Sequence, residues 1–318
     1  MAKPTRILFV ADLHGSAVCW RKFINAAKVY RAQVLLVGGD IAAKTLTPVL
    51  ENGGSWSATI DGKARTARSL EELENLEAAL RDAATVPFRT TPSEWEELRA
   101  KPGALDQQFE ASSLEELKRW LDWAHSRLGK ECGHLLLGLG NDDFTSMESV
   151  IEAEPAAELT DRQIIRLEGG WEILTLPYSN PTPWKTHREL PEEKLREVIA
   201  ESVTKLERPA SAIFNMHVPP FNTPLDVAPK LDAGLRKVMR AGGEAEMAHV
   251  GSTAVREALE VHQPLLGLHG HIHESRGTVR FGRTLAMNCG SAYNEGTLLG
   301  ALVDLQGEVV QSAVLTSG

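Results

Sequence analysis

Five times along this chain a short apolar run, of a length suited to a buried strand, stops at Asp, His or Asn, often beside glycine. Residues 7–11 lead into Asp12-Leu13-His14, residues 34–37 into Gly38-Gly39-Asp40, and residues 135–139 into Gly140-Asn141-Asp142-Asp143. Residues 212–216 lead into His217, and the run from Leu265 ends in Gly270-His271-Ile272-His273. In that last stretch the glycine lets the backbone turn, and the two imidazoles, two residues apart, point the same way. They can face a metal while Ile272 faces the interior. In an open α/β sheet, functional groups collect in the crevice beyond the carboxyl ends of the strands. Seven side chains spread from Asp12 to His273 are therefore expected to converge.

The chain opens as a βαβ unit. Residues 6–11 read as a strand, residues 16–31 as a helix with Trp20, Phe23, Ile24, Ala27 and Tyr30 at helical spacing, and residues 32–37 as a second strand. That order implies a parallel pair with a right-handed crossover. About 100 residues then separate Asp40 from Asn141, far more than a usual connection of about 4–6. The interval reads as a mainly helical insertion over about residues 45–131. Ser69 with Glu72, and Ser113 with Glu116, are capping-box pairs, each followed by a leucine-rich helical face. A third, short helix is expected over residues 93–99, and one strand over residues 57–60 between two glycine turns. This insertion should pack on the main domain and can act as a lid or as the contact for a homodimer or another protein.

Beyond His134 the strand pattern resumes. Residues 164–167 and 172–176 flank Gly169-Gly170 as a hairpin, Pro191 opens a helix, and Ser252 caps another. Residues 277–281, 284–288, 298–304 and 309–315 read as a closing antiparallel run. Parallel strands first and antiparallel strands last imply a mixed two-layer sheet core with helices outside.

Composition mainly excludes. With no run of 18 apolar residues, and opening residues that lead straight into a strand, the expectation is a cytoplasmic protein with no membrane span. Cys19, Cys132 and Cys289 form neither a disulfide framework nor a zinc-type pair. A net charge of −9 argues against a broad surface for duplex nucleic acid or an anionic membrane. Neither a P-loop nor a dinucleotide fingerprint is present.

The five strand-end motifs, in this order, resemble those of the calcineurin-like metallophosphoesterases, with a closest look to small prokaryotic phosphoesterases related to cyclic-nucleotide phosphodiesterase. Asn288-Cys289-Gly290-Ser291 also looks like that family's Asn-x-Gly-Ser turn. The resemblance covers residues 6–291 apart from the insertion. It implies an α/β fold, a four-layer α/β/β/α sandwich with mixed sheets. It also implies two divalent metal ions: Asp12, His14 and His273 on one, Asn141, His217 and His271 on the other, with Asp40 bridging. Mixed carboxylate and imidazole donors suit Mn, Fe, Ni, Co or Zn better than Ca. The activity implied is hydrolysis of a phosphate ester by a metal-bridged hydroxide.

Two positions depart from the family pattern. Asp142 stands where a histidine usually follows the Asn of the third motif, and Ala43 where an acidic or amide residue often follows the bridging Asp. A carboxylate beside two dications has a depressed pKa and makes a poor general acid, so phosphodiesters or activated monoesters are favoured. His249, just before the Ser252 cap, is a candidate to supply the proton instead, because a helix N-terminus favours an anion. A phosphoprotein phosphatase, and a metal-binding interaction protein with little turnover, are the alternative readings.

Overall fold

The apolar runs become strands because both of their faces are covered. The computed structural model describes residues 4–129 and 132–318; the opening residues 1–3 and the insertion boundary expected at 131 lie outside the described residues. In chain order the first half contains β1 (Thr5–Val10), α1 (Ala17–Tyr30), β2 (Val34–Gly38), β3 (Leu46–Asn52), β4 (Ser55–Ile60), β5 (Lys63–Ala67), α2 (Leu70–Asp82), β6 (Val86–Thr90), α3 (Pro92–Ala100) and α4 (Ala104–Arg127). There follow β7 (His134–Gly138), α5 (Met147–Glu152), β8 (Glu158–Leu159), β9 (Ile164–Arg166), β10 (Glu172–Leu176), α6 (Glu192–Val203), β11 (Ile213–Met216), β12 (Val227–Pro229) and β13 (Met247–His249). The chain closes with α7 (Thr253–His262), β14 (Leu266–His269), β15 (Gly277–Phe281), β16 (Thr284–Asn288), β17 (Leu299–Gln306) and β18 (Val309–Ser317).

Two six-stranded mixed sheets, ordered β18-β17-β1-β2-β7-β8 and β15-β16-β14-β11-β10-β9, form the body. Ile7, Phe9, Val34 and Leu36 of the first meet Ile173, Ile213, Leu266 and Leu268 of the second. One residue out of phase, Leu8, Val10, Leu35 and Val37 face the other way, onto Trp20, Phe23 and Ile24 of α1. The outer face of the second sheet, with Phe214 and Met216, is covered by Leu195 and Ile199 of α6 and Val255 and Leu259 of α7. Burial on both faces is why these strands read as unbroken apolar runs. The result is the expected α/β/β/α sandwich. Among the described residues no helix is long and apolar enough to cross a membrane.

Three expectations are corrected. The closing four strands are not one antiparallel run: β15 and β16 finish the second sheet, where β16 lies parallel to β14, while β17 and β18 pair antiparallel beside β1 in the first. Ser113 does not begin a helix. It is buried inside α4, whose N-cap is the left-handed Gly103, and the complete capping box belongs to Thr91 and Glu94 at the start of α3. The interval after Asp40 also carries its own four-stranded sheet, β5-β4-β3-β6, closed over Val49, Ala58 and Ile60 by Leu73, Leu76 and Leu80 of α2. Its last helix, α4, joins the main core instead: Trp20 Nε1 donates to the Trp120 carbonyl at 3.0 Å, and the two indoles stack with centroids 5.0 Å apart.

Candidate metal centre

Each sheet sends its parallel strands toward the same crevice, and the strand-end side chains meet there. Asp12 and His14 follow β1, Asp40 follows β2, Asn141 follows β7, His217 follows β11, and His271 and His273 follow β14. The backbone bends sharply to turn them inward. Asp12, His14, Asp40 and His271 all have left-handed φ angles, of 57°, 40°, 55° and 65°. Non-glycine residues are held in that region only where surrounding structure enforces it, and such residues cluster at functional sites. Gly140 lies so close to Asp40 that a Cβ there would collide with its carboxylate.

The donor atoms fall into two main sets, and Asp142 forms a third, overlapping set with His14 and Asp40. Asp12, His14 and His273 place ligand-type atoms within 4.8 Å of one another, and so do Asp40, His217 and His271. Asn141 Oδ1 lies 3.1 Å from His217 Nε2 and so joins the second set. Asp40 Oδ2 lies between the two, 3.6 Å from His14 Nε2 and 3.3 Å from His217 Nε2, and Asp12 Oδ1 lies 3.6 Å from His273 Nε2 and 3.9 Å from His217 Nε2. His14 Nε2 and His273 Nε2 approach to 3.1 Å. Two buried carboxylates ringed by converging imidazole nitrogens are a donor set that suits cations, and hard oxygen with borderline nitrogen suits first-row divalent ions.

The surroundings orient these donors. His217 Nδ1 donates to the Gly38 carbonyl at 2.9 Å, leaving Nε2 toward Asp40. The His271 backbone N–H donates to both oxygens of Asp12, at 2.9 and 3.0 Å. Ser291 Oγ donates to the Asp12 carbonyl at 2.7 Å, and Asn288 Nδ2 to the Ile272 carbonyl at 2.9 Å, so the Asn-x-Gly-Ser turn braces the site from behind. Burial disfavours charge on His14 and lowers its pKa to about 3; burial and then the His217 charge lower that of His271 to about 4. For His217 burial works the same way but loses to the Asp40 and Asp12 carboxylates, which push it up to about 10.

Asp142 sits at the rim of the cluster. It accepts from Asn141 Nδ2 at 2.9 Å and pairs with Lys44 Nζ at 3.2 Å. Burial and then Asp40 raise its pKa above the ordinary carboxylate value, more than Lys44 lowers it. His249 is not brought into the cluster: its Nδ1 is bound by the buried Asp226 at 2.8 Å, and its ring lies against Phe221. Asp226 also takes the N–H groups of Asn222, Thr223 and Gly251, which ties His249 to a loop junction.

Sequence reasoning missed four contributors. Lys44 is, among the described residues, the only Lys or Arg ion-paired to Asp12, Asp40 or Asp142. Tyr293 stands over His14 and His273 with ring centroids 4.8 and 5.7 Å away. Asp143 gathers the backbone N–H groups of Ile41, Ala42 and Gly140. Arg188, also buried, pairs with Asp161 at 2.9 Å and donates to the Asp143 carbonyl at 3.2 Å. Only Lys44 and Asp143 carried a signal, their closeness in sequence to Asp40 and Asn141.

No protein-family profile matches the chain. The uncharacterized protein MJ1162 of Methanocaldococcus jannaschii is 28% identical over 130 residues, which cover 40% of this chain and 51% of that one. The chain thus matches about half the length of this curated relative. One solved crystal structure is similar with a TM-score of 0.58 at 14% identity over 98% of both chains. The protein TT1561 of Thermus thermophilus is similar with a TM-score of 0.53 at 13% identity, over 99% of this chain and 98% of that one. The phosphopantetheinyl hydrolase PptH of Mycobacterium tuberculosis gives a TM-score of 0.47 at 11% identity, over 93% and 92%. The four-layer α/β/β/α sandwich of this chain is shared with the first two of these structures. At these identities the likeness is one of fold.

Proposed function

We propose that the protein is a phosphoesterase dependent on two divalent metal ions, hydrolysing phosphodiesters or activated phosphomonoesters. Asp12, His14 and His273 would hold one ion, Asn141, His217 and His271 the other, with Asp40 shared. The observation that carries this reading is the single Asp40 oxygen lying within 3.6 Å of a ring nitrogen from each donor set. Two such ions supply an acidified water and polarise the phosphoryl group.

The chain's own residues do the rest. Lys44 offers a fixed cation at the rim, which favours an anionic substrate although the protein as a whole carries −9. Asp142, with Asn141 donating to one oxygen and Lys44 to the other, is arranged to accept protons rather than give one. Asp142 is therefore not placed to protonate a strongly basic alcohol, and esters with acidic leaving groups are the better substrates.

The test loads the purified protein with Mn²⁺ and measures turnover of bis-aryl phosphodiesters and a graded series of phosphomonoesters. Turnover should fall as leaving-group pKa rises, and Asp40→Ala should lose both turnover and at least one equivalent of metal. Metal binding without hydrolysis of any ester would point to a binding protein, and an Asp40→Ala variant with full metal content and turnover would refute the shared-ligand assignment.

A further inference from the structure

The side-chain amide of Asn141 has two ends of nearly the same shape, and only its oxygen can face a cation. Its Nδ2 donates to Thr186 Oγ1 at 2.8 Å and to Asp142 Oδ1 at 2.9 Å, while Oδ1 lies 3.1 Å from His217 Nε2. A threonine hydroxyl can donate or accept, so on its own it would not discriminate between the two amide orientations. The direction is set one residue further out. Thr186 Oγ1 donates to Glu189 Oε1 at 2.8 Å, and Glu189 also accepts from the Thr186 backbone N–H at 2.8 Å. The Thr182 backbone N–H at 3.0 Å and hydroxyl at 2.5 Å complete four donors on this one side chain. Four donors hold it as an ionised carboxylate, which can only accept. With its single hydrogen committed to Glu189, Thr186 has only a lone pair left for Asn141. Asp142 Oδ1 takes the other amide hydrogen, while its Oδ2 is paired with Lys44.

We propose that Thr186, Glu189 and Asp142 are positioning residues that lock the Asn141 amide with its oxygen toward the cluster, so that Asn141 is a preset ligand for one of the two ions. The proposal rests on the two-ion reading above and deepens it. It gives Asp142 a role distinct from that of the histidine it replaces: an imidazole can present either a donor or an acceptor to the amide, whereas a carboxylate presents only an acceptor. The lock is anchored independently of these side chains. The Arg188 backbone N–H donates to the Asn141 carbonyl at 3.3 Å, and the Arg188 side chain is held in the interior by Asp161. The 182–189 loop is thereby tied to the end of β7 by main chain as well as by side chain.

Thr186→Val removes the acceptor while keeping the shape, and it lets the amide turn its NH₂ group toward the cation. Residues that orient a ligand are typically worth about 10–100-fold in metal affinity. The experiment is an equilibrium titration of Mn²⁺ against a chelator on wild type, Thr186→Val and Thr186→Ser, with unfolding of the metal-free proteins followed in parallel. Thr186→Val should weaken one of the two Mn²⁺ ions by about 10–100-fold, leave the other unchanged, and leave the metal-free unfolding midpoint close to wild type; Thr186→Ser should restore binding. Wild-type affinity for both ions in Thr186→Val, equal weakening of both, or a folded Thr186→Ser that binds Mn²⁺ as weakly as Thr186→Val would each overturn the lock. If wild type itself binds fewer than two Mn²⁺ ions, the two-ion reading fails first and the lock falls with it. If wild type binds two and Thr186→Val is unaffected, only the lock fails.

Discussion

Asp143→Asn probes how the site is held together. Asp143 Oδ2 accepts from the backbone N–H groups of Ile41 and Gly140 at 3.1 and 2.8 Å, and Oδ1 from that of Ala42 at 2.7 Å. These donors flank Asp40 and Asn141, so one buried carboxylate fixes the loops after β2 and β7 against each other. Asparagine keeps the shape but has a single oxygen. Turned to keep the two bonds at Oδ2, it sets its NH₂ against the Ala42 N–H, donor facing donor; turned the other way, it loses two bonds. Burial and then Asp40 push the Asp143 pKa up to about 7 in the metal-free protein, so above that pH the smaller loss is one hydrogen bond to a charged group, about 1.5–3 kcal/mol. The facing donors place the expectation near the top of that range, at about 3 kcal/mol. Urea unfolding of the metal-free proteins at a pH above the raised Asp143 pKa of about 7 measures it, and Mn²⁺ titration should show weaker binding although every proposed ligand is intact. A variant within about 0.5 kcal/mol of wild type, with unchanged Mn²⁺ affinity, would show that the loops are held by something else.

Two further outcomes follow from buried charges. Arg188→Met strands Asp161 in the interior without its counter-charge and should cost about 3–5 kcal/mol; urea midpoints of this variant and of Arg188→Met with Asp161→Asn check it, the second being expected to recover part of the loss, and a single-variant loss below about 1 kcal/mol contradicts it. His217 is pushed up to about 10 by its carboxylate neighbours, so near pH 7 its imidazole carries a proton that must leave when a metal binds. Because the folded value lies above the unfolded one of about 6.5, this group's contribution to metal-free stability is complete below that pH and is lost as pH rises through about 10. Mn²⁺ uptake should therefore release a proton and tighten with rising pH; calorimetry in buffers of different ionisation heat that found no proton release would contradict this.

Much of the body was legible because its physics is local. A strand buried on both faces must be apolar throughout, and a polar residue at its carboxyl end has few places to go except the crevice. That logic reaches Asp12, Asp40, His217 and His271 from sequence alone. It does not reach Asp143 or Glu189, whose roles are to accept N–H and O–H groups from other loops and which look like any other loop carboxylate. The sheet of the insertion was hidden for another reason. β3 contains Pro48, which normally argues against a strand, but β4 pairs with β3 only from Leu50 onward, so Pro48 sits where one edge is open. Ser113 misled because Ser-x-x-Glu is common on any polar helix face, and only the left-handed Gly103 marks where α4 starts.

The pairing of β1 also bears on how the protein is made. β2 covers one edge of β1 early in synthesis, but the other edge waits for β17, and the Arg6 to Asp304 hydrogen bond of 2.7 Å closes across 298 residues. At about 5–20 residues per second, that edge stays open on the ribosome for on the order of 15–60 s. An uncovered apolar strand edge is a template for strands of other chains. The same delay applies to the donors, since Asp12 and His14 are synthesised long before His271 and His273. Neither proposed donor set is complete until His271 and His273 have been made, so the nascent chain has no full set of metal-type donors until late in its synthesis.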